Sequence, residues 1–196
     1  MLTLITVSPF FAATESDRSI LGLLFTLVLL SAVHTSSAKP RQFVFAVSLA
    51  IPWLILQWGG DALGLGESKI ATGILLAALN GFAIFIVLGH IINEKDVKFN
   101  ILCGAVAIYL MLGLSLALVF SVLEAISPGT IALSNTNAEL AWIDLLYFSF
   151  TTLTTLGYGD ITPISPVARI WANLEAITGT LYIAVLVARL VSLYRD

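Results

Sequence analysis

The spacing of its charges, more than any other feature, restricts what this chain can fold into. Between Arg18 and Lys39 lie 20 uncharged residues, between Arg41 and Asp61 19, between Lys69 and Glu94 24, and between Lys98 and Glu124 25. An ionised side chain in the hydrocarbon core of a bilayer costs about 2.5 to 3.5 kcal/mol on insertion scales, so each interval marks a span. As a helix, each is long enough to cross about 30 Å of hydrocarbon, which takes about 20 residues. A fifth span is expected from about Pro166 to Tyr194, interrupted by Glu175. Composition agrees: 59% of the 196 residues are hydrophobic and 11% charged, far from the balance of a soluble domain.

The same sparse polarity excludes several functions. Nine basic and twelve acidic residues, a net charge of −3, leave no basic face for nucleic acid. A single cysteine, Cys103, within an apolar run rules out a disulfide framework or a Cys-rich metal site. His34 and His90 both lie in or beside apolar spans, and no nucleophile has a plausible base, so an enzyme is not expected.

Two apolar stretches are too short to span. Met1 to Thr14 lacks the basic leader of a signal peptide and reads as the end of a first helix or as a segment lying in the interface. Leu145 to Gly159 is 15 residues long, between Asp144 and Asp160. If the loops holding Lys39 and Arg41, Lys95 and Lys98, and the C-terminus with Arg189 and Arg195 are cytoplasmic, six basic residues lie inside and three (Arg18, Lys69, Arg169) outside. That satisfies the positive-inside bias. Acidic Glu15, Asp17, Asp61, Glu67, Glu124, Glu139, Asp144 and Asp160 then collect on the external face. The short stretch enters and leaves from that face as a re-entrant loop.

The loop reads Tyr147-Phe-Ser-Phe-Thr-Thr-Leu-Thr-Thr-Leu-Gly-Tyr-Gly-Asp160: a helix-compatible portion, then a Gly-rich one. Irregular backbone at membrane depth leaves carbonyls that lipid cannot satisfy, whereas a row of them can replace the hydration shell of a cation. Gly157 and Gly159 suit this because a residue without a Cβ adopts positive φ readily.

These residues resemble the potassium channel family. Thr152-Leu-Thr-Thr-Leu-Gly-Tyr-Gly159 fits its T-x-x-T-x-G-Y-G signature, and Asp160 and Pro163 continue it. The resemblance covers about residues 98 to 195. It implies a pore domain over 97–196, with outer helix 98–127, pore helix 142–154, filter 155–160 and inner helix 166–195. By the same resemblance the carbonyls of Thr155, Leu156, Gly157 and Tyr158, with the Thr155 hydroxyl, coordinate potassium ions, and Gly159 completes the turn outward. Thr152, Thr154 and Asp160 support the filter. Leu156 replaces the commoner valine, with its side chain expected to pack behind the filter. The sequence holds one such motif, so the family fold implies a homotetramer in a cell membrane, plasma or bacterial inner, with the filter mouth external and the C-terminus cytoplasmic. No organic cofactor and no soluble partner are implied; lipid surrounds the assembly.

Other positions match by spacing. Tyr147 falls where an aromatic donor often bonds the carboxylate after the filter, or it simply packs at the pore-helix start. Gly179, 19 residues beyond Asp160, is either a hinge or a site of close helix packing. Glu175, one turn before Gly179 and on the same face, either faces the cavity or sits behind the filter bonded to pore-helix groups such as Thr151 or Thr152, the placement its depth favours. Thr180, Ile183, Leu186 and Leu190 recur at helical spacing and by family alignment line the cavity, with Leu190 or Tyr194 a candidate apolar gate.

The anterior residues 1–96 supply helices around the pore without gating charges. The span Ile70 to Ile92 contains no Arg or Lys. Moving charge through the field supplies about 2.3 kcal/mol per charge per 100 mV, so steep voltage sensing is not expected there. Asn80 is expected to bond a neighbouring helix and His90 to be an interfacial histidine. The C-terminal end at Asp196 suggests no cytosolic ligand-binding domain. The reading is an all-α membrane protein of five to six transmembrane helices with a re-entrant pore helix and filter between the last two. Its function is passive potassium conduction. A non-conducting regulatory subunit or a potassium transporter subunit is the alternative.

Overall fold

The computed structural model describes residues 40–59, 69–93, 99–134 and 140–194, which fall into two compact units, Met1–Ile86 and Val87–Asp196. The expected span between Arg18 and Lys39 and the stretch before it lie outside the described residues, as do the side chains of His90, Leu190 and Tyr194.

In the first unit, helix α1 (Pro40–Gly59) opens on a proline, whose missing N–H is no loss in a first turn. Its apolar portion, Val44–Gln57, is shorter than a span: the interval between Arg41 and Asp61 is uncharged, but Gln42 and Gln57 bracket the apolar part. Helix α2 (Lys69–Asn93) is long and apolar enough to cross over Ile70–Gly89. Trp53 and Leu79 are buried with Leu49, Ala50, Leu54, Leu75 and Leu76 around them. The Phe45 and Phe82 rings lie 4.7 Å apart, their planes tilted by 58°. The buried Asn80 amide nitrogen has no partner among the described residues, so the expected helix-to-helix bond is not made through it.

The second unit contains the end of α2, helix α3 (Phe99–Ile126), strand β1 (Ile131–Leu133), helix α4 (Trp142–Leu153), strand β2 (Ile161–Pro163) and helix α5 (Pro166–Tyr194). Ile101–Ile126 and Pro166–Arg189 are long and apolar enough to cross, which makes three such helices among the described residues. Helix α4 has 12 residues, about 18 Å, and does not. It starts where the Asp144 carboxylate accepts the Ala141 N–H at 2.8 Å, placing an acid at the positive end of the helix dipole.

The strands pair antiparallel, Ile131 with Pro163 and Leu133 with Ile161, in a ribbon too short for any periodicity to announce. Glu124, at the end of α3, holds its entry by accepting the Gly129 N–H at 2.6 Å and the Ile131 N–H at 3.0 Å. The core beneath gathers Phe120, Ile131, Leu145, Phe148, Ile161, Ala168 and Ala172, with Phe120 and Phe148 edge to face at 4.9 Å. On α5 the buried or half-buried residues are Ala168, Ala172, Glu175, Ala176, Gly179, Tyr182, Leu186 and Arg189, and all but Ala176 are spaced alternately four and three apart. They form one helical stripe.

Because Phe148 is buried in this core and packs edge to face on Phe120, Phe148→Ala is expected to destabilise the protein by about 3 to 5 kcal/mol. Denaturation in detergent measures it, and a loss below about 1 kcal/mol would mean that the site collapses around the truncation.

Candidate functional site

Helix α4 stops at Leu153, and its last carbonyls fix the residues that follow. The Thr155 N–H bonds the Thr152 carbonyl at 2.9 Å, and both the Leu156 and Gly157 N–H groups bond the Thr151 carbonyl, at 2.8 and 3.1 Å. In a strand, consecutive amides point to opposite sides; here two converge on one oxygen. The backbone dihedrals explain this: φ is positive at Thr155 (58°), Gly157 (51°) and Gly159 (79°) and at neither residue between them. No peptide bond among the described residues is cis, so a carbonyl here lies opposite the N–H of its own peptide unit. The carbonyls of Thr155 and Leu156 therefore point together, away from α4. No donor among the described residues reaches the carbonyls of Thr155, Leu156, Gly157 or Tyr158.

The row ends at Gly159. Its carbonyl accepts the Ser134 hydroxyl at 2.8 Å, and the Asp160 carbonyl accepts the Ser134 N–H at 2.8 Å. The Asp160 carboxylate accepts the Tyr147 hydroxyl at 2.8 Å, tying the end of this segment back to the first turns of α4. That bond holds the Tyr147 hydroxyl above the ordinary tyrosine value, so it stays protonated and donating at neutral pH. Thr154 donates its hydroxyl to the Phe150 carbonyl at 2.7 Å, closing the helix end. Thr152 contributes its carbonyl. Ser134 was not singled out in the sequence, and only its position in the ribbon reveals it.

The side chains on this segment are uncovered in the single chain, Leu156 by 54% and Tyr158 by 69%. About half of Leu156 is left open by the described residues of its own chain.

Two glycines set how closely α4 is embraced. A Cβ at Gly113 on α3 would lie 2.7 Å from the Phe150 ring, and one at Gly179 on α5 would run into the Leu153 carbonyl. Glu175, fully buried one turn before Gly179, lies 2.5 Å from the Ser149 hydroxyl, which in turn lies 2.6 Å from the Gly113 carbonyl. Its partner is thus Ser149, not Thr151 or Thr152; the Thr151 hydroxyl bonds the Phe148 carbonyl at 2.9 Å. Thr180 and Ile183 are exposed in the single chain, whereas Leu186 lies in register with the covered stripe. Leu190 lies in α5, and its side chain is outside the description.

Alanine in place of a helical glycine usually stabilises by up to about 1 kcal/mol. Gly179→Ala should instead lower stability by about 1 to 3 kcal/mol by overpacking. Thermal denaturation of the purified variant reads this, and an unchanged or raised midpoint would show that α5 does not need its contact with Leu153.

Comparison with known proteins bears on the same half of the chain. A family model described as "Ion channel" matches residues 99–196, half of the sequence. The chain is 40% identical over 53 residues to a protein of Oryza sativa subsp. japonica named two pore potassium channel c, a match covering 27% of this chain and 12% of that one. It is 39% identical over 54 residues to two-pore potassium channel 3 of Arabidopsis thaliana, covering 28% of this chain and 12% of the relative. The matched stretch is thus about an eighth of each relative's length. No solved structure gives a significant match. With three apolar helices able to cross a bilayer among the described residues and a channel model matched over half of its length, the chain is a membrane protein that belongs to the ion channel family.

Proposed function

We propose that four copies of this chain surround a pore that conducts potassium ions passively and selectively. The observation that carries the reading is the pair of amides converging on the Thr151 carbonyl, which turns the carbonyls behind them the other way. In a tetramer each chain contributes one such row, formed by Thr155, Leu156, Gly157 and Tyr158 with the Thr155 hydroxyl. Rings of these oxygens replace the water lost by an entering ion, and several sites in series let one ion displace the next. The negative end of the α4 dipole lies where the filter begins and favours a cation there. The exposed Leu156 and Tyr158 side chains supply surface for neighbouring copies.

The names of the plant relatives support potassium as the ion. Those relatives are called two-pore, while this chain holds a single T-L-G-Y-G motif; one motif per chain supports four copies. The filter mouth faces outward, where Glu124, Asp144 and Asp160 raise the local cation concentration. Because α2 carries no Arg or Lys beyond Lys69, conduction lacks steep voltage dependence.

Flux from liposomes holding the purified protein tests this. Potassium should leave much faster than sodium, and barium should block it. Equal potassium and sodium fluxes would sink the selectivity, and the absence of any flux would favour a non-conducting regulatory subunit.

A further inference from the structure

Glu175 is a fully buried carboxyl group in a membrane helix, and its surroundings fix how many protons it shares. The Ser149 oxygen lies 2.6 Å from the Gly113 carbonyl and 2.5 Å from Glu175 Oε1. A carbonyl only accepts, and a serine hydroxyl has one proton to give. If Ser149 gave it to an ionised carboxylate, the Gly113 and Ser149 oxygens would meet lone pair to lone pair at a hydrogen-bonding distance. Both short contacts are satisfied when Ser149 donates to Gly113 and the carboxyl O–H of Glu175 donates to Ser149. Two further observations agree. Glu175 Oε2 has no hydrogen-bond partner among the described residues, which a neutral acid tolerates far better than half of an ionised carboxylate. The described cations of this unit are engaged elsewhere: Arg169 bonds the Pro163 carbonyl, and Arg189 the Ile91 and Ile92 carbonyls. They sit about 9 and 21 Å along α5 from Glu175 by helical rise. The other titratable group that faces it is Tyr109 on α3, whose hydroxyl points to the Leu153 carbonyl at 3.4 Å.

We propose that Glu175 is a positioning residue of the filter, acting as a neutral proton donor in a relay from Glu175 through Ser149 to the Gly113 carbonyl. The relay fastens α5 and α3 to the same face of α4. Ser149 lies two residues before Thr151, whose carbonyl holds the Leu156 and Gly157 amides, so the relay fixes the height of the group that orients the filter. It gives the buried acid a role that needs its proton and not its charge. The inference rests on the filter reading above.

The test uses the full chain purified in potassium, with Glu175→Gln, Glu175→Ala and Ser149→Ala. A glutamine amide also donates to Ser149, so Glu175→Gln should retain conduction. Glu175→Ala and Ser149→Ala should each lose it about tenfold faster under sustained flux, the scale set by one buried hydrogen bond. Infrared difference spectra of wild type against Glu175→Gln should show a protonated-carboxyl stretch at neutral pH. If Glu175→Gln fails as badly as Glu175→Ala, or the protonated stretch is missing, the carboxylate charge is what matters and the proposal is wrong. Alanine variants that behave as wild type overturn it too. If wild type itself does not conduct, the channel reading fails, but the infrared signature still decides the relay.

Discussion

Two neighbouring amides bonded to one carbonyl, that of Thr151, set the direction of the Thr155 and Leu156 carbonyls in the segment after α4. Peptide planarity does the rest: once those N–H groups face α4, the carbonyls on the same peptide units face away from it. This conformation is not free. A positive φ is uncommon for a β-branched residue such as Thr155 and persists only where the surroundings over-determine it. The surroundings here are local and polar. Ser134 holds the Gly159 carbonyl, Tyr147 holds the Asp160 carboxylate, and Thr154 closes the end of α4. The strained segment is thus pinned at both ends and at one point within.

Pinning works only if α4 is itself immobile, and that is a packing problem. A 12-residue helix buries little surface on its own. It is held because α3 and α5 approach it unusually closely, at Gly113 against Phe150 and at Gly179 against Leu153. Close approach brings backbone oxygens into reach of side-chain donors, and the Ser149 and Tyr109 hydroxyls use it. Between membrane helices such polar contacts contribute modestly, roughly 0.6 kcal/mol on average. Their value here is positional, since each fixes α4 along its axis, where apolar packing alone would let it slide.

Much of this was legible in the sequence. Charge spacing marked the three helices able to cross, and the glycine pattern marked the segment where positive φ recurs at Gly157 and Gly159. The spacing from Tyr147 to Asp160 named two residues that the structure pairs. Glu175 and Gly179 were placed on one face, and they lie on one stripe. What escaped has physical reasons. An uncharged interval is not an apolar one, and the glutamines of α1 shorten its apolar part. A three-residue strand has no periodicity to read, so Ser134 and the ribbon were invisible. The partner of Glu175 depends on the axial register of α5 against α4, which the glycine contact at Leu153 constrains, and two or three positions separate Ser149 from the threonines expected there.

The stripe on α5 also explains how its far end is constrained. It begins on small residues, Ala168 and Ala172, which pack under the ribbon. It passes through Glu175 and Gly179 at α4 and Tyr182 at α3, whose hydroxyl bonds the Ala105 carbonyl at 2.7 Å. It ends at Arg189, which bonds the last carbonyls of α2, at 2.9 Å to Ile91 and 2.7 Å to Ile92. A cation at a helix C-terminus is favoured by the dipole. The link therefore opposes separation of the two helix ends: the end of α5 moves either by carrying the end of α2 with it or by breaking both bonds. An α2 with no cation along its membrane length has little for a voltage to act on, yet its end remains attached to α5 mechanically.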